Sequence, residues 1–167
     1  FLSWILGLRP GGPQGPEGKK VIGLEPSLEH ITLKRYPKVS VHIPLYNEKN
    51  VVERLLSSVT SFEYSGDYEV VIADDSTDET TTIIKKYLGS FGKLRTSLGE
   101  DYSLTECEVR PGLVLKHLHR TSRSGFKGGA LRLALRVTDP KAEFISVFDA
   151  DFVPYPDTLE LFLKYFK

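Results

Sequence analysis

The stretch VSVHIPLYNEKNVVERLLSSVTSFEYSGDYEVVIADD, residues 39–75, reads as strand, helix, strand. VSVHIP (39–44) and YEVVIAD (68–74) are short runs rich in Val and Ile. Between them Val51, Val52, Leu55, Leu56 and Val59 recur at helical spacing. Two such strands joined through a helix lie parallel in one sheet. The unit then repeats. Ser76 with Glu79 three residues on has the form of a capping box, opening a helix through Thr80, Ile83, Ile84 and Tyr87. LVLKHL (113–118) is a third strand, KGGALRLALRV (127–137) a third helix and EFISVFD (143–149) a fourth, buried strand. PDTLELFLKYF (156–166) closes as a helix with Pro156 at an early position. The predicted fold class is α/β, a mostly parallel sheet flanked by helices. Residues 89–112 fit no period and are long for a connection, so they predict an inserted loop or hairpin.

Composition narrows the function classes. With 22 basic and 22 acidic side chains the formal net charge is zero, which gives no reason to expect a nucleic acid as partner. A single cysteine, Cys107, permits neither an intrachain disulfide nor a cysteine-based zinc site. The N-terminal FLSWILGL (1–8) is apolar but far shorter than the roughly 20 residues that cross a bilayer. It reads as a transmembrane remnant, an interfacial anchor, or a segment packed on the domain. RPGGPQGPEGKK (9–20) is a Gly/Pro-rich arm, which places the domain itself in residues 21–167.

In parallel sheets ligands collect at the carboxyl ends of the strands, where loops converge and helix N-termini present free N–H groups. Four strand ends are chemically loaded: PLYNE (44–48), ADDSTDE (73–79), HRTSRSGFKGG (119–129) and DADFVP (149–154). In extended backbone, residues i and i+2 share a side, so Asp149 and Asp151 direct both carboxylates to one point while Ala150 faces away. Two acids aimed together call for a cation. An all-oxygen donor set suits Mg2+ or Mn2+, which share their remaining coordination with substrate phosphates. A nucleoside base needs a flat face and a polar group at its edge, which Tyr46 and Asp75 supply from adjacent strand ends. The glycines beside Lys127 permit close backbone approach, and the lysine can neutralise charge on a leaving diphosphate. His117 and His119, also i and i+2, form a second candidate metal pair. The carboxylates fit the same ion better.

The strings VSVHIPLYNE, VVIADDSTDET, HRTSRSGFKGGAL and FISVFDADFVPYPDTL, in this order and spacing over residues 38–167, resemble the donor-binding half of family 2 glycosyltransferases. The nearest resemblance is to cellulose-synthase-like and glucomannan-synthase-like members, which have the GT-A, Rossmann-like fold. The resemblance implies inverting transfer of a sugar from a nucleotide-sugar donor to the hydroxyl of a saccharide or lipid-linked acceptor, with a divalent metal. A UDP-sugar is favoured and GDP-mannose is the other candidate donor. It also implies a full-length protein at the cytoplasmic face of a membrane, in polysaccharide or glycoconjugate synthesis.

By position, the resemblance makes Asp149 and Asp151 a DXD motif, with Asp151 on the metal and Asp149 nearer the ribose or sugar. Tyr46 lies against the base and Asp75 accepts the uracil N–H. Lys127 lies near the phosphates or sugar with Arg123 as helper. Pro44, Glu48 and Asp74 complete the nucleotide-sugar contacts. The family's general base and its Q-x-x-R-W motif are not found here, so the resemblance places the base beyond Lys167 and makes the chain a fragment that binds donor without turning it over. Two rival classes share part of the pattern. A nucleotidyltransferase would carry a Gly-rich loop where PLYNE stands, and a non-catalytic nucleotide- or metal-binding module leaves Tyr46 and HRTSRSGFKGG unexplained.

Overall fold

Seven consecutive residues, Tyr68–Asp74, are buried without a break, which requires a strand covered on both faces. They form the centre of the sheet in the computed structural model, which describes Leu28 and residues 31–166. The elements run β1 (Val39–Leu45), α1 (Val52–Thr60), β2 (Tyr68–Asp74), α2 (Thr80–Gly89), β3 (Leu94–Leu98), β4 (Tyr102–Arg110), β5 (Leu113–Arg120), α3 (Phe126–Val137), β6 (Phe144–Val147) and α4 (Thr158–Tyr165). The apolar stub and Gly/Pro arm of residues 1–20 lie outside the described residues. The chain divides into two units, Phe1–Ile31 and Thr32–Lys167, and the second contains all of these elements. No helix among the described residues is long and apolar enough to cross a membrane.

The sheet order is β3-β4-β5-β2-β1-β6, with β5, β2, β1 and β6 mutually parallel and β3 and β4 antiparallel. Taken alone, the parallel strands have the order third, second, first, fourth. The direction of winding therefore reverses between β1 and β6, and in doubly wound sheets the ligand crevice opens at that switch point. One face of the sheet packs Val41, Ile43, Val70, Ile72 and Leu115 against α1, α2 and α4 through Leu55, Leu56, Ile84, Leu88, Leu159 and Leu163. On the other, Val71, Ala73 and Leu118 meet Ala130 and Ala134 of α3.

Residues 89–112, expected to be an inserted loop or hairpin, contain a hairpin that adds β3 and β4 to the sheet, closed by a turn in which Gly99 N–H donates to Tyr102 O at 2.8 Å. Three expectations are corrected. The strand β6, at the edge of the described sheet, is half exposed because only one of its faces is covered. Phe144 and Ser146 are partly covered, whereas Ile145 and Val147 stand 47 % and 42 % exposed. The capping box does not form. The helix α2 begins at Thr80, whose N–H is accepted by Asp78 Oδ1 at 3.0 Å, while Ser76 Oγ accepts the N–H of Asn47. Pro156 likewise precedes α4 by two residues, and its carbonyl accepts the Glu63 N–H.

At the amino ends of the strands, a buried polar network replaces water. Glu69 pairs with Lys116 at 2.9 Å and accepts from Ser40 Oγ, and His42 Nε2 lies 2.9 Å from Thr138 Oγ1. Burial lowers the His42 pKa below its ordinary 6.5; the Glu69 charge works against this and the Lys116 charge with it. The folded state therefore holds His42 neutral while the unfolded chain takes up a proton below 6.5. Stability should fall as pH drops through that value, by up to about 1.4 kcal/mol per pH unit for one proton. Urea unfolding of the wild type and of His42→Gln checks this. The slope should be shallower in the variant, and parallel curves would contradict it.

Candidate functional site

The loop after β1 carries Asn47 in left-handed backbone, φ 57°, a conformation that asparagine tolerates better than most residues. Asn47 N–H donates to Ser76 Oγ at 2.9 Å, and its Oδ1 accepts the N–H of Thr77 at 2.8 Å. This clamp ties the ends of β1 and β2 together and holds Tyr46 out over the switch point, 39 % exposed. The guanidinium of Arg123 lies on the Tyr46 ring, 3.3 Å from its centroid.

The loop before α3 turns sharply through Gly125 (φ 72°) and Phe126 (φ 48°). It is organised by Arg120, which the sequence reading did not single out. Arg120 Nε and Nη2 donate to the two oxygens of Asp75 at 2.6 and 2.5 Å, and its Nη1 and Nη2 also donate to the carbonyls of Ser124 and Phe126. Both side chains of this ion pair are buried, so the bidentate contact is little screened. The signal lay in the register: His119 is opposite Asp74, which makes Asp75 and Arg120 neighbours once β2 and β5 are paired. Of the two glycines that follow Lys127, Gly129 is the one the packing requires. A Cβ there would lie 2.1 Å from Ser124 O and 2.8 Å from Arg120 Nη1, whereas one at Gly128 meets nothing. Gly129→Ala should cost about 1–3 kcal/mol, as overpacking does, and Gly128→Ala should be tolerated. Chemical denaturation of the two variants checks this, and equal stabilities would contradict it.

The acids of the fourth strand end reach the site by a route other than the predicted pleat. The strand stops at Val147, and Phe152 N–H donates to Asp149 O at 3.1 Å, closing a turn over Asp149–Phe152. Ala150 does not face away. It is buried, 8 % exposed, and lines the same cavity as both acids. Lys127, at the start of α3, forms an ion pair with Asp149 in which both side chains are about half exposed. No ion pair involves Asp151 among the described residues.

A cavity of about 640 Å³ at the switch point is lined by Pro44, Leu45, Tyr46, Glu48, Asp75, Arg123, Lys127, Ala130, Asp149, Ala150 and Asp151. That volume is within the range of small-molecule sites. Of the predicted residues, Pro44, Tyr46, Glu48, Asp75, Arg123, Lys127, Asp149 and Asp151 are brought together here. Asp74 is not. It is fully buried beneath the site, with Oδ1 accepting Ser76 N–H and Oδ2 accepting the Thr81 hydroxyl and facing His117 Nε2 at 2.9 Å. Burial alone would raise its pKa, but the hydrogen bonds from His117, Ser76 and Thr81 and the His117 charge outweigh it and hold the carboxyl well below the usual range. His117 and His119 converge on this same acid rather than on the cavity.

The cavity offers oxygen ligands from Asp149 and Asp151, one lysine, one arginine and an aromatic face. That donor set fits Mg2+ or Mn2+ with a diphosphate.

Residues 40–98 match the family model described as glycosyl transferase family 2. Over 128 residues the chain is 35% identical to the probable glucomannan 4-beta-mannosyltransferase 7 of Oryza sativa subsp. japonica, covering 74% of this chain and 19% of that protein. It is 32% identical over 132 residues to glucomannan 4-beta-mannosyltransferase 1 of Cyamopsis tetragonoloba, covering 75% and 21%. The chain thus spans about a fifth of the length of these curated relatives. Among solved structures it is similar to the mannosyltransferase PcManGT from Pyrobaculum calidifontis in complex with GDP-Man and Mn2+, with a TM-score of 0.61 and 30% identity over 79% of this chain and 33% of that one. It is also similar to S. aureus TarS in complex with UDP, with a TM-score of 0.54 and 29% identity over 74% of this chain and 30% of that one. With this sequence match, these relatives and this sheet, the chain is similar in sequence to the family 2 glycosyltransferases and shares the GT-A fold of its solved neighbours.

Proposed function

We propose that the cavity at the switch point is the donor site of an inverting glycosyltransferase, one that moves a sugar from a nucleoside diphosphate to the hydroxyl of a saccharide or lipid-linked acceptor. The observation that carries this reading is the convergence of Tyr46, Asp75, Arg123, Lys127, Asp149 and Asp151 on one cavity from four separate strand ends. Each supplies a part that such a donor needs. The ring of Tyr46 offers a flat surface to the base, which takes the position of the Arg123 guanidinium or the opposite face of the ring. Lys127 exchanges Asp149 for the diphosphate, and Arg123 adds a second cation beside it. Asp151, with Asp149, holds Mg2+ or Mn2+. When bound, that ion neutralises charge on the departing diphosphate.

Asp75 accepts one N–H at the base edge. Each of its oxygens already receives one N–H of the Arg120 fork and its side chain is only 4% exposed, which suits a single donor such as the uracil N–H better than the paired donors along a guanine edge. This favours a UDP-sugar. The mannosyltransferase relatives, and a neighbour solved with GDP-Man, favour GDP-mannose as the second reading.

Neither Asp157 nor Glu160 is placed to act as the general base. Asp157 and Glu160 stand at and within the first turn of α4 and line no part of the cavity, and Glu160 pairs with Lys164 at 3.0 Å. The chain is the donor-binding part of a longer enzyme working at the cytoplasmic face of a membrane. The test is sugar transfer from UDP-glucose, GDP-mannose and UDP-N-acetylglucosamine to short oligosaccharides, by this chain and by a version extended to the length of its relatives. Transfer by the extended protein alone supports the reading, and transfer by neither from any donor contradicts it.

A further inference from the structure

Outside the donor cavity, one buried cluster has no part in sugar transfer. We propose that Asp74, His117 and His119 form a second metal site that takes a borderline divalent cation of the zinc class. His117 and His119 are i and i+2 on β5 and so share a face, and Asp74 lies opposite His119 on the neighbouring β2. Two ligands on one strand and a third beside them on the next converge on one point. Asp74 Oδ2 is 2.9 Å from His117 Nε2 and 3.3 Å from His119 Nδ1, and the three ligand atoms all lie within 4.8 Å of one another. A tetrahedral ion with bonds of about 2.0–2.1 Å separates its ligand atoms by about 3.3 Å, so a small rotation of His117 completes the set.

A second observation points to the ion. His119 Nδ1 is buried and makes no hydrogen bond, although it faces a carboxylate. Buried polar atoms are rarely left unsatisfied without a reason. The carboxylate itself is oriented by Ser76 N–H, which donates to Oδ1 at 2.9 Å, and by the Thr81 hydroxyl, which donates to Oδ2 at 2.7 Å, the kind of outer support that fixes a ligand. Two imidazole nitrogens with one carboxylate oxygen suit zinc, whereas the oxygen-only pair Asp149 and Asp151 suits Mg2+ or Mn2+. The two sites therefore differ in the ion they select. Both rings bind neutral: His117 through Nε2 with its proton on Nδ1, and His119 through Nδ1 with its proton on Nε2. The side chain of His119 is 27% exposed, which gives the ion its way in and leaves the fourth position for water. Bound there, the ion clamps the end of β2 to β5, one residue before Asp75 and Arg120.

This site is independent of the donor reading, and its test is arranged to stay so. Chelator-treated protein carrying both Asp149→Asn and Asp151→Asn is titrated with Zn2+ against a chromophoric chelator, and with Co2+ by visible absorption. One equivalent of zinc and an intense tetrahedral cobalt band are expected. His119→Ala, added to that background and shown by circular dichroism to be folded, should weaken zinc at least about 10-fold and remove the band, since even outer-sphere partners of a metal cost 10–100-fold. Failure of the double variant to take up zinc, or a His119→Ala protein that binds it as tightly, would overturn the proposal.

Discussion

Asp75→Ala should lower the folding stability of the chain by about 3–5 kcal/mol, the cost of removing one partner from a buried ion pair. The Arg120 guanidinium would remain buried, with its Nε and one edge of Nη2 facing no acceptor. Because Arg120 also donates to Ser124 O and Phe126 O, the loss would reach the loop that carries Arg123 and Lys127. Asp75→Asn keeps the shape and one acceptor, and should cost less. This variant, if folded, should still lose about 1.5–3 kcal/mol of nucleotide binding, the range for a hydrogen bond to a charged group. Urea unfolding of both variants, followed by nucleotide titration of the asparagine form, separates scaffold from recognition. If Asp75→Ala unfolds within about 1 kcal/mol of the wild type, like an exposed ion pair, the coupling of Asp75 to Arg120 has been misjudged.

Asp151→Asn should abolish the metal-dependent part of nucleoside diphosphate binding, a loss of at least about 100-fold, beyond what outer-sphere partners of a metal typically cost. Asp149 already has Lys127 as a counter-charge, whereas Asp151 has no ion-pair partner among the described residues. Neutralising Asp151 therefore removes charge that only a cation balances, and folding should be little affected because the side chain is exposed. Calorimetric titration of the variant in manganese checks this. Wild-type affinity in manganese would remove Asp151 from the metal.

Much of the fold was legible because parallel strands buried on both faces read as unbroken apolar runs. VSVHIP and YEVVIAD became β1 and β2 within a residue, and KGGALRLALRV became α3. The hairpin was opaque for the opposite reason. All five residues of β3 are exposed, so LRTSL carries no alternation, and a bulge between Glu108 and Arg110 shifts the phase of β4. An edge strand such as FISV is as apolar as a central one, and nothing in its own residues shows that the face carrying Ile145 and Val147 is left uncovered.

The site followed the same division. Residues placed by their own strand end, such as Tyr46, Lys127 and Asp149, meet in one cavity. Those whose placement depends on a partner far along the chain were not legible: Arg120 is set by Asp75, and Asp74 faces His117 and His119 instead of the cavity. Ser76 looked like a helix cap because Glu79 follows at the right distance. Asn47, twenty-nine positions earlier, claims its hydroxyl instead.

The most direct test of the donor cavity is calorimetric titration of the wild-type chain with UDP and with GDP, each with manganese and after its removal by chelation. Binding of UDP that requires manganese, exceeds that of GDP and is lost in Asp151→Asn is the predicted result. Equal affinity with and without the metal, or no binding of either nucleotide, would contradict a metal-dependent donor site formed by Tyr46, Asp75, Lys127, Asp149 and Asp151.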